Sequence, residues 1–186
     1  MNPKALAHFL ASAEHRAFRI AALATRNDEQ ALDLVQEAMM RLAEKYGDRP
    51  EAEWPLLFQR ILQNAILDHH RRQKVRRAWI SLIGDLVAGR PDHEHEAGDA
   101  DAFDAPDSEE HRPDWLADQH RNQERIMKAI AGLPLRQQQA FLLRYWEGMD
   151  IAQTAQAMGC SEGSVKTHCF RAVKALSVVL NDLKPD

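Results

Sequence analysis

The sequence predicts an all-α chain of two small helical domains joined by an acidic, flexible linker, the second domain containing a helix-turn-helix. Three observations carry this. Apolar residues recur three and four apart through the long segments on either side of the middle, the spacing of a helix face rather than a strand. Eight glycines, eight prolines and only two tyrosines argue against a strand-rich protein, while 45% apolar residues suffice for real cores. Charge, finally, is divided along the chain. Residues 1–78 hold 13 Lys and Arg against 10 Asp and Glu, residues 79–120 hold 2 against 12, and residues 121–186 hold 9 against 6. Two mildly basic ends flank an acidic middle, and the formal net charge of −4 hides both. The expected boundaries are 1–90, 91–112 and 113–186.

Residues 4–26 carry Leu6, Phe9, Leu10, Ala13, Ala17, Ala21 and Ala24 along one face, an amphipathic first helix. Asn27, with Gln30 three residues on, has the form of a capping box opening the second helix. That helix runs to about Tyr46, with Leu32, Val35, Met39, Leu42 and Tyr46 expected on its buried face and Gly47 ending it. Its other face shows Asp33, Glu37, Met40, Arg41 and Glu44. A methionine among charges suits a partner surface, although a solvated face is the commoner reason for such a set.

The third helix opens near Trp54-Pro55, proline sitting in the first turn where its missing N–H costs nothing. Phe58, Ile61, Leu62, Ala65 and Ile66 form its buried stripe. Beyond Asp68 come His69, His70, Arg71, Arg72, Gln73, Lys74, Val75, Arg76 and Arg77, and five of the seven residues 71–77 are cationic. Such a run, Lys74 included, suits several phosphate contacts with steep salt dependence; a purely structural role at a helix end is the weaker reading. Trp79, Leu82, Ile83, Leu86 and Val87 continue an apolar stripe expected to fold back on the first domain. Residues 91–112 are acidic and nearly devoid of apolar side chains, the composition of a linker. His93-Glu94-His95 lies within it and is not read as a metal site.

The second domain starts near Trp115, with a helix from Arg125 to Ala131, a break at Leu133-Pro134, and a helix over residues 135–147. Asp150 then caps a short helix, Ile151 to Met158, and Gly159 supplies the left-handed residue that closes it. Ser161 caps a second helix in which Val165, Cys169, Ala172, Leu176 and Leu180 form a buried stripe. Lys166, Thr167, Phe170, Arg171 and Lys174 occupy the opposite face. Helix, glycine turn, then a helix with a basic outer face is the pattern that lays its second helix in the major groove. The turn chemistry favours DNA binding over an ordinary αα-hairpin.

Three stretches together resemble the bacterial RNA polymerase sigma factors of the extracytoplasmic-function (ECF) group. ALDLVQEAMMRLAEKY, residues 31–46, is similar to the family segment that grips the polymerase clamp helices. WPLLFQRILQNAILDHHRRQ, residues 54–73, is similar to the segment that melts and reads the minus-ten element. Residues 124–176 are similar to the domain that reads the minus-35 element. The most specific part is DLVQE followed by the spacing of Arg60, Ile61, Asn64 and Asp68. The resemblance implies a sigma factor that binds core RNA polymerase and directs it to promoter DNA, without a cofactor or metal. It places Asp33, Gln36, Glu37, Met40 and Arg41 toward the polymerase. Asn64, Asp68, His69, Arg71, Arg72 and Lys74 then lie near the opened strand, and Ser164, Lys166, Thr167, His168, Arg171 and Lys174 near the minus-35 duplex. Gln63 and the paired histidines, His168, and Phe170 depart from the family pattern, so no promoter sequence carries over. The acidic linker stands where the family threads a segment toward the active-site channel, which implies nucleic-acid mimicry. An anti-sigma factor is implied as a further candidate partner.

The nearest rival is a LuxR-like helix-turn-helix regulator acting without core polymerase, which needs only residues 124–180 and leaves 31–77 unexplained. An enzyme is the rival from another class. Asp68-His69-His70 matches the triplet of DHH phosphoesterases, but successive residues within a helix do not face one metal. The two cysteines, Cys160 and Cys169, form neither a ligand set nor a disulfide framework. No run of about 18 apolar residues and no secretory leader occurs, so a cytoplasmic protein without a membrane segment is expected.

Overall fold

The structure, a computed structural model, describes residues 3–88 and 114–181, with side-chain surroundings for 3–80, 121–178 and 181. The acidic stretch 91–112, its His93-Glu94-His95 included, lies outside the described residues. So do the side chains of Leu82, Ile83, Leu86, Val87 and Leu180. The described residues form helices joined by turns, with no strand among them.

Helix α1 (Pro3–Thr25) buries Leu6, Ala17, Ile20, Ala21 and Ala24. It ends on Arg26, whose φ of 55° is left-handed and whose N–H reaches the Ala22 carbonyl at 2.8 Å. Asn27 then caps α2 (Asp28–Tyr46), its Oδ1 accepting from the Gln30 N–H at 2.8 Å. Only this half of the expected capping box forms. The Gln30 side chain turns to Gln73 on the third helix, whose Nε2 donates to Gln30 Oε1 at 3.2 Å.

The buried stripe of α2 is Ala31, Leu34, Val35, Ala38 and Leu42. Leu32, expected inside, is 42% exposed. At about 100° per residue it stands roughly a third of a turn from Ala31 and Ala38, which are both fully buried and let neighbouring helices approach closely. Side-chain size alone rotates the stripe toward Leu32; close helix approach rotates it back.

A 3₁₀ turn (Glu51–Glu53) leads into α3 (Trp54–Ala88), which buries Trp54, Phe58, Leu62, Ala65 and Ile66. Ile61, at the stripe's edge, is half-buried. Helix α3 runs unbroken past the basic stretch, and Trp79 and Ile80 are 62% and 61% exposed. At Trp79, the member of the expected stripe whose side chain is described, the fold-back is absent, because no turn residue interrupts Arg71 to Ala88 except a single glycine.

The second half opens with α4 (Asp114–Ala131), longer at its start than the sequence suggests. Helix α5 (Leu135–Phe141) follows and continues into a π turn (Leu142–Trp146), where the Glu147 N–H reaches back five residues to the Leu142 carbonyl at 3.0 Å. The sequence predicts one helix over residues 135–147; the wider turn at its end is the difference. Helices α6 (Ile151–Met158) and α7 (Glu162–Asn181) complete the chain.

Both halves contribute to one apolar cluster. Leu6, Ile20, Val35, Leu42, Phe58, Leu62 and Ile66 from the first half meet Ile130, Leu133, Leu142, Ala172 and Leu176 from the second. A second cluster of Leu143, Met149, Met158 and Val165 supports α6 and α7, with Leu56 of α3 packed against it.

Candidate nucleic-acid and partner interfaces

The two helices of the helix-turn-helix are fixed by their caps. Asp150 Oδ1 accepts from the Gln153 N–H at 2.7 Å while Gln153 Oε1 accepts from the Asp150 N–H at 3.0 Å, a complete capping box. Gly159, at φ 62°, closes α6; the Cys160 and Gly159 N–H groups bond the carbonyls of Ala155 and Gln156 in a Schellman pair. Ser161 Oγ accepts from the Ser164 N–H at 3.2 Å and opens α7. Arg136 on α5 donates to the Met158 carbonyl at 2.9 Å, holding the C-terminal end of α6.

On α7 the buried side carries Val165, Ala172 and Leu176, with Cys169 half-buried and its thiol 3.6 Å from the Ala140 carbonyl. Burial pushes that thiol above its usual range, outweighing Arg144, so it stays protonated. Lys166, Thr167, Arg171 and Lys174 are exposed on the outer face. The Thr167 hydroxyl donates to the Gly163 carbonyl at 3.0 Å, so it is engaged with its own helix. Ser164 is half-buried with its hydroxyl 2.9 Å from that of Ser161, so it serves the cap.

His168 is also half-buried, and its Nδ1 has no hydrogen-bond partner among the described residues. Burial first, then the Arg136 and Arg171 cations, hold its pKa below 6.5. Phe170, absent from the expected contact set, is 69% exposed between Lys166 and Lys174 on the outward face. Its place is readable from the spacing to Lys166 and Lys174; its identity as a departure from the family pattern keeps it out of that set.

On α3, Asn64, Arg71, Arg72 and Lys74 are exposed, while Asp68 and His69 are half-buried. Asp68 pairs with Arg71 at 3.3 Å. His69 Nε2 lies 3.0 Å from Gln73 Nε2, and burial, then His70 and Arg72, lower its pKa from 6.5. His70 donates through Nε2 to the Ala24 carbonyl at 2.8 Å, tying α3 to α1. Asp68, His69 and His70 thus face three different partners. No cluster of His, Cys, Asp and Glu suited to a metal occurs among the described residues.

On α2, Asp33, Gln36, Met40 and Arg41 are exposed, Met40 to 60%, and Arg41 pairs with half-buried Glu37 at 2.6 Å. A shallow cleft of about 40 Å³ joins this face to α3, lined by Leu34, Glu37, Arg41, Ala65, Asp68, His69 and Arg72. The expected partner-facing and strand-facing sets therefore share a border. The minus-35 set lies apart, on α7.

The described residues include no helix long and apolar enough to cross a membrane. Residues 9–76 match the sigma-70 region 2 family, and residues 123–176 match sigma-70 region 4. The chain is 30% identical to the ECF RNA polymerase sigma factor SigX of Bacillus subtilis over 155 residues, covering 81% of this chain and 71% of SigX. It is also 30% identical to the ECF RNA polymerase sigma factor SigL of Mycobacterium tuberculosis over 178 residues, 91% of this chain and 86% of SigL. Its fold is similar to that of the sigma factor RpoE in its co-crystal with the anti-sigma factor NepR from Bartonella quintana. That likeness has a TM-score of 0.59 at 20% identity and covers 94% of this chain and 95% of RpoE.

Proposed function

The chain belongs to the ECF group of the sigma-70 family, and from that premise we propose how its surfaces divide the work of starting transcription. As a sigma factor it binds core RNA polymerase and directs promoter-specific initiation. The observation that carries this is the presence, in order on one chain, of region 2 over residues 9–76 and region 4 over residues 123–176. A helix-turn-helix regulator acting without polymerase leaves the first of these without a task.

In our reading, residues 1–90 bind polymerase and open the minus-ten element, 91–112 link, and 113–186 read the minus-35 element. Asp33, Gln36, Glu37, Met40 and Arg41 face the polymerase; a flexible methionine within a charged rim suits a protein surface. Asn64, Asp68, His69, Arg71, Arg72 and Lys74 face the opened strand, the cations holding phosphates and the smaller polar groups reaching bases. Lys166, Arg171 and Lys174 grip the minus-35 duplex, with Thr167 and His168 beside them. Ser164 acts there by capping α7. The work is recognition and not catalysis, carried out with the transcription machinery in the cytoplasm. An anti-sigma factor that covers both basic halves is the natural regulator.

Transcription in vitro tests the reading. Purified protein, sigma-free core polymerase and fragments of the source genome are expected to give discrete transcripts that vanish when the protein is omitted. Sequence-specific DNA binding with no transcripts and no association with core would sink it.

A further inference from the structure

Four side chains join the two halves through main-chain carbonyls. Arg16 donates to that of Trp146 at 2.6 Å, Arg26 to Ala131 at 2.9 Å, Gln138 to Leu23 at 3.2 Å and Gln139 to Gln63 at 3.3 Å. Helix α3 is anchored there at Gln63, and to α1 and α2 through His70 and Gln73. Beyond Gln73 the anchoring stops. Every residue from Lys74 to Ile80 is exposed, so about two turns of α3 stand clear of the other described residues. A helix draws most of its stability from packing one face, and these turns find no such support among the described residues. Their composition states what a partner must offer. Residues 71–80 hold Arg71, Arg72, Lys74, Arg76 and Arg77 with no acid, and Val75, Trp79 and Ile80 are exposed apolar groups. At about 100° per residue, Trp79 lies within about 20° of both Arg72, seven residues back, and Asp68, eleven back. Arg76 falls between Trp79 and Ile80 one turn earlier. The face that carries Asp68 and Arg72 therefore runs on into an arginine, a tryptophan and an isoleucine. The region 2 match ends at residue 76, before the last two of these.

We infer that Arg76, Trp79 and Ile80 form a further nucleic-acid contact, lying along the duplex between the two promoter elements and holding its sugar-phosphate surface whatever its sequence. The inference rests on the sigma-factor reading. In that reading Asp68 and Arg72 face the opened strand, and the chain beyond α3 leads to the half that reads the minus-35 element. The C-terminal end of α3 therefore points upstream. Trp79 lies about 16 Å beyond Asp68 at about 1.5 Å per residue, the length of about five base pairs at about 3.4 Å each. At that distance upstream the DNA is paired. Its surface suits the three side chains: phosphates take the Arg76 cation, and deoxyribose offers an apolar bed for the indole and the isoleucine. Neither contact reads a base edge. An acidic protein surface would match the cations as well, but the unbroken face shared with Asp68 and Arg72 favours DNA. The extra contact acts on how slowly the promoter is released.

The test uses holoenzyme assembled from the full chain and core polymerase, on a promoter located by transcription in vitro. The readout is the lifetime of the promoter complex once heparin is added as competitor. Trp79→Ala is expected to shorten it at least about fivefold, the scale of a truncated aromatic anchor, and Trp79→Phe to recover most of the loss. Position 79 and position 76 are both exposed, so these variants keep the wild-type thermal midpoint. Scrambling the spacer at fixed length leaves the ratio between variant and wild type unchanged. Neutral methylphosphonates in the spacer just upstream of the minus-ten element shorten the wild-type lifetime, and Arg76→Ala then adds nothing further, because both remove one contact. An unchanged lifetime for Trp79→Ala, or losses from Arg76→Ala and the methylphosphonates that simply add, would overturn the inference and leave the sigma reading standing. So would weaker association with core, which assigns these turns to a protein partner, or a longer lifetime, which assigns them to the chain's own acidic residues. No transcripts from the wild type with core would sink the sigma reading, and this contact with it.

Discussion

At the scale of single residues, Arg26 combines two opposed effects. Its left-handed backbone costs about 1 kcal/mol for a residue with a Cβ, and its guanidinium recovers energy at the Ala131 carbonyl. Arg26→Ala removes the bond and keeps the strain, whereas Arg26→Gly removes the bond and relieves it. The glycine variant is expected to melt about 2–4 °C above the alanine variant, read by calorimetry. His168 and His69 give a second test. Both are held below 6.5 in the folded chain, so the unfolded chain takes up protons first as pH falls. Their contribution is full above about pH 6.5 and declines below it. Thermal midpoints are expected to drop as pH falls below about 6.5, and His69→Gln with His168→Gln to flatten that slope. Residue chemistry of this kind is only partly legible in the sequence. Ser164 and Thr167 are visible as polar positions on α7, yet whether a hydroxyl faces DNA or its own helix depends on a rotamer that no spacing encodes.

At the scale of elements, caps and stripes are the most readable features because they depend on neighbours three or four residues away. Asp150 with Gln153, and Gly159, fix the ends of α6, and Gly159→Ala is expected to cost about 1–2 kcal/mol in chemical denaturation. The π turn is not readable, since a one-residue widening changes no composition. Nor is the rotation of α2, where Ala31 and Ala38 are fully buried and Leu32 is not. Helix α3 carries the electrostatic prediction. Replacing Arg71, Arg72 and Lys74 by alanine should lower the slope of log affinity against log salt for promoter DNA by about one for each phosphate no longer neutralised. Unchanged slopes would remove these side chains from the DNA interface.

At the scale of the whole molecule, the charge pattern and helix content are legible, while the joining of the halves is not. Leu142, Ala172 and Leu176 read as local stripe positions, and nothing in their spacing says that they share a cluster with Phe58 and Leu62. Long-range partnership is set by complementary shape between segments far apart in the chain. Leu142→Ala is expected to destabilise the chain by about 2–5 kcal/mol and to loosen both halves together, seen as coincident shifts in probes placed on α2 and α7. Separate transitions with only the α7 probe shifted would mean that the halves are stabilised independently.

The arginine bonds also bear on how this chain tolerates drift. Arg16 and Arg26, like Gln138 and Gln139, donate to main-chain carbonyls, of Trp146, Ala131, Leu23 and Gln63. An acceptor of that kind is present whatever amino acid occupies the position. Point substitutions on the receiving side therefore leave these bonds available, whereas inserting or deleting one residue in the Leu142–Trp146 turn swings the carbonyl away. Descendants of this chain can thus change the letters at the accepting positions without losing these bonds, so long as the donors stay, but can scarcely change the length of that turn.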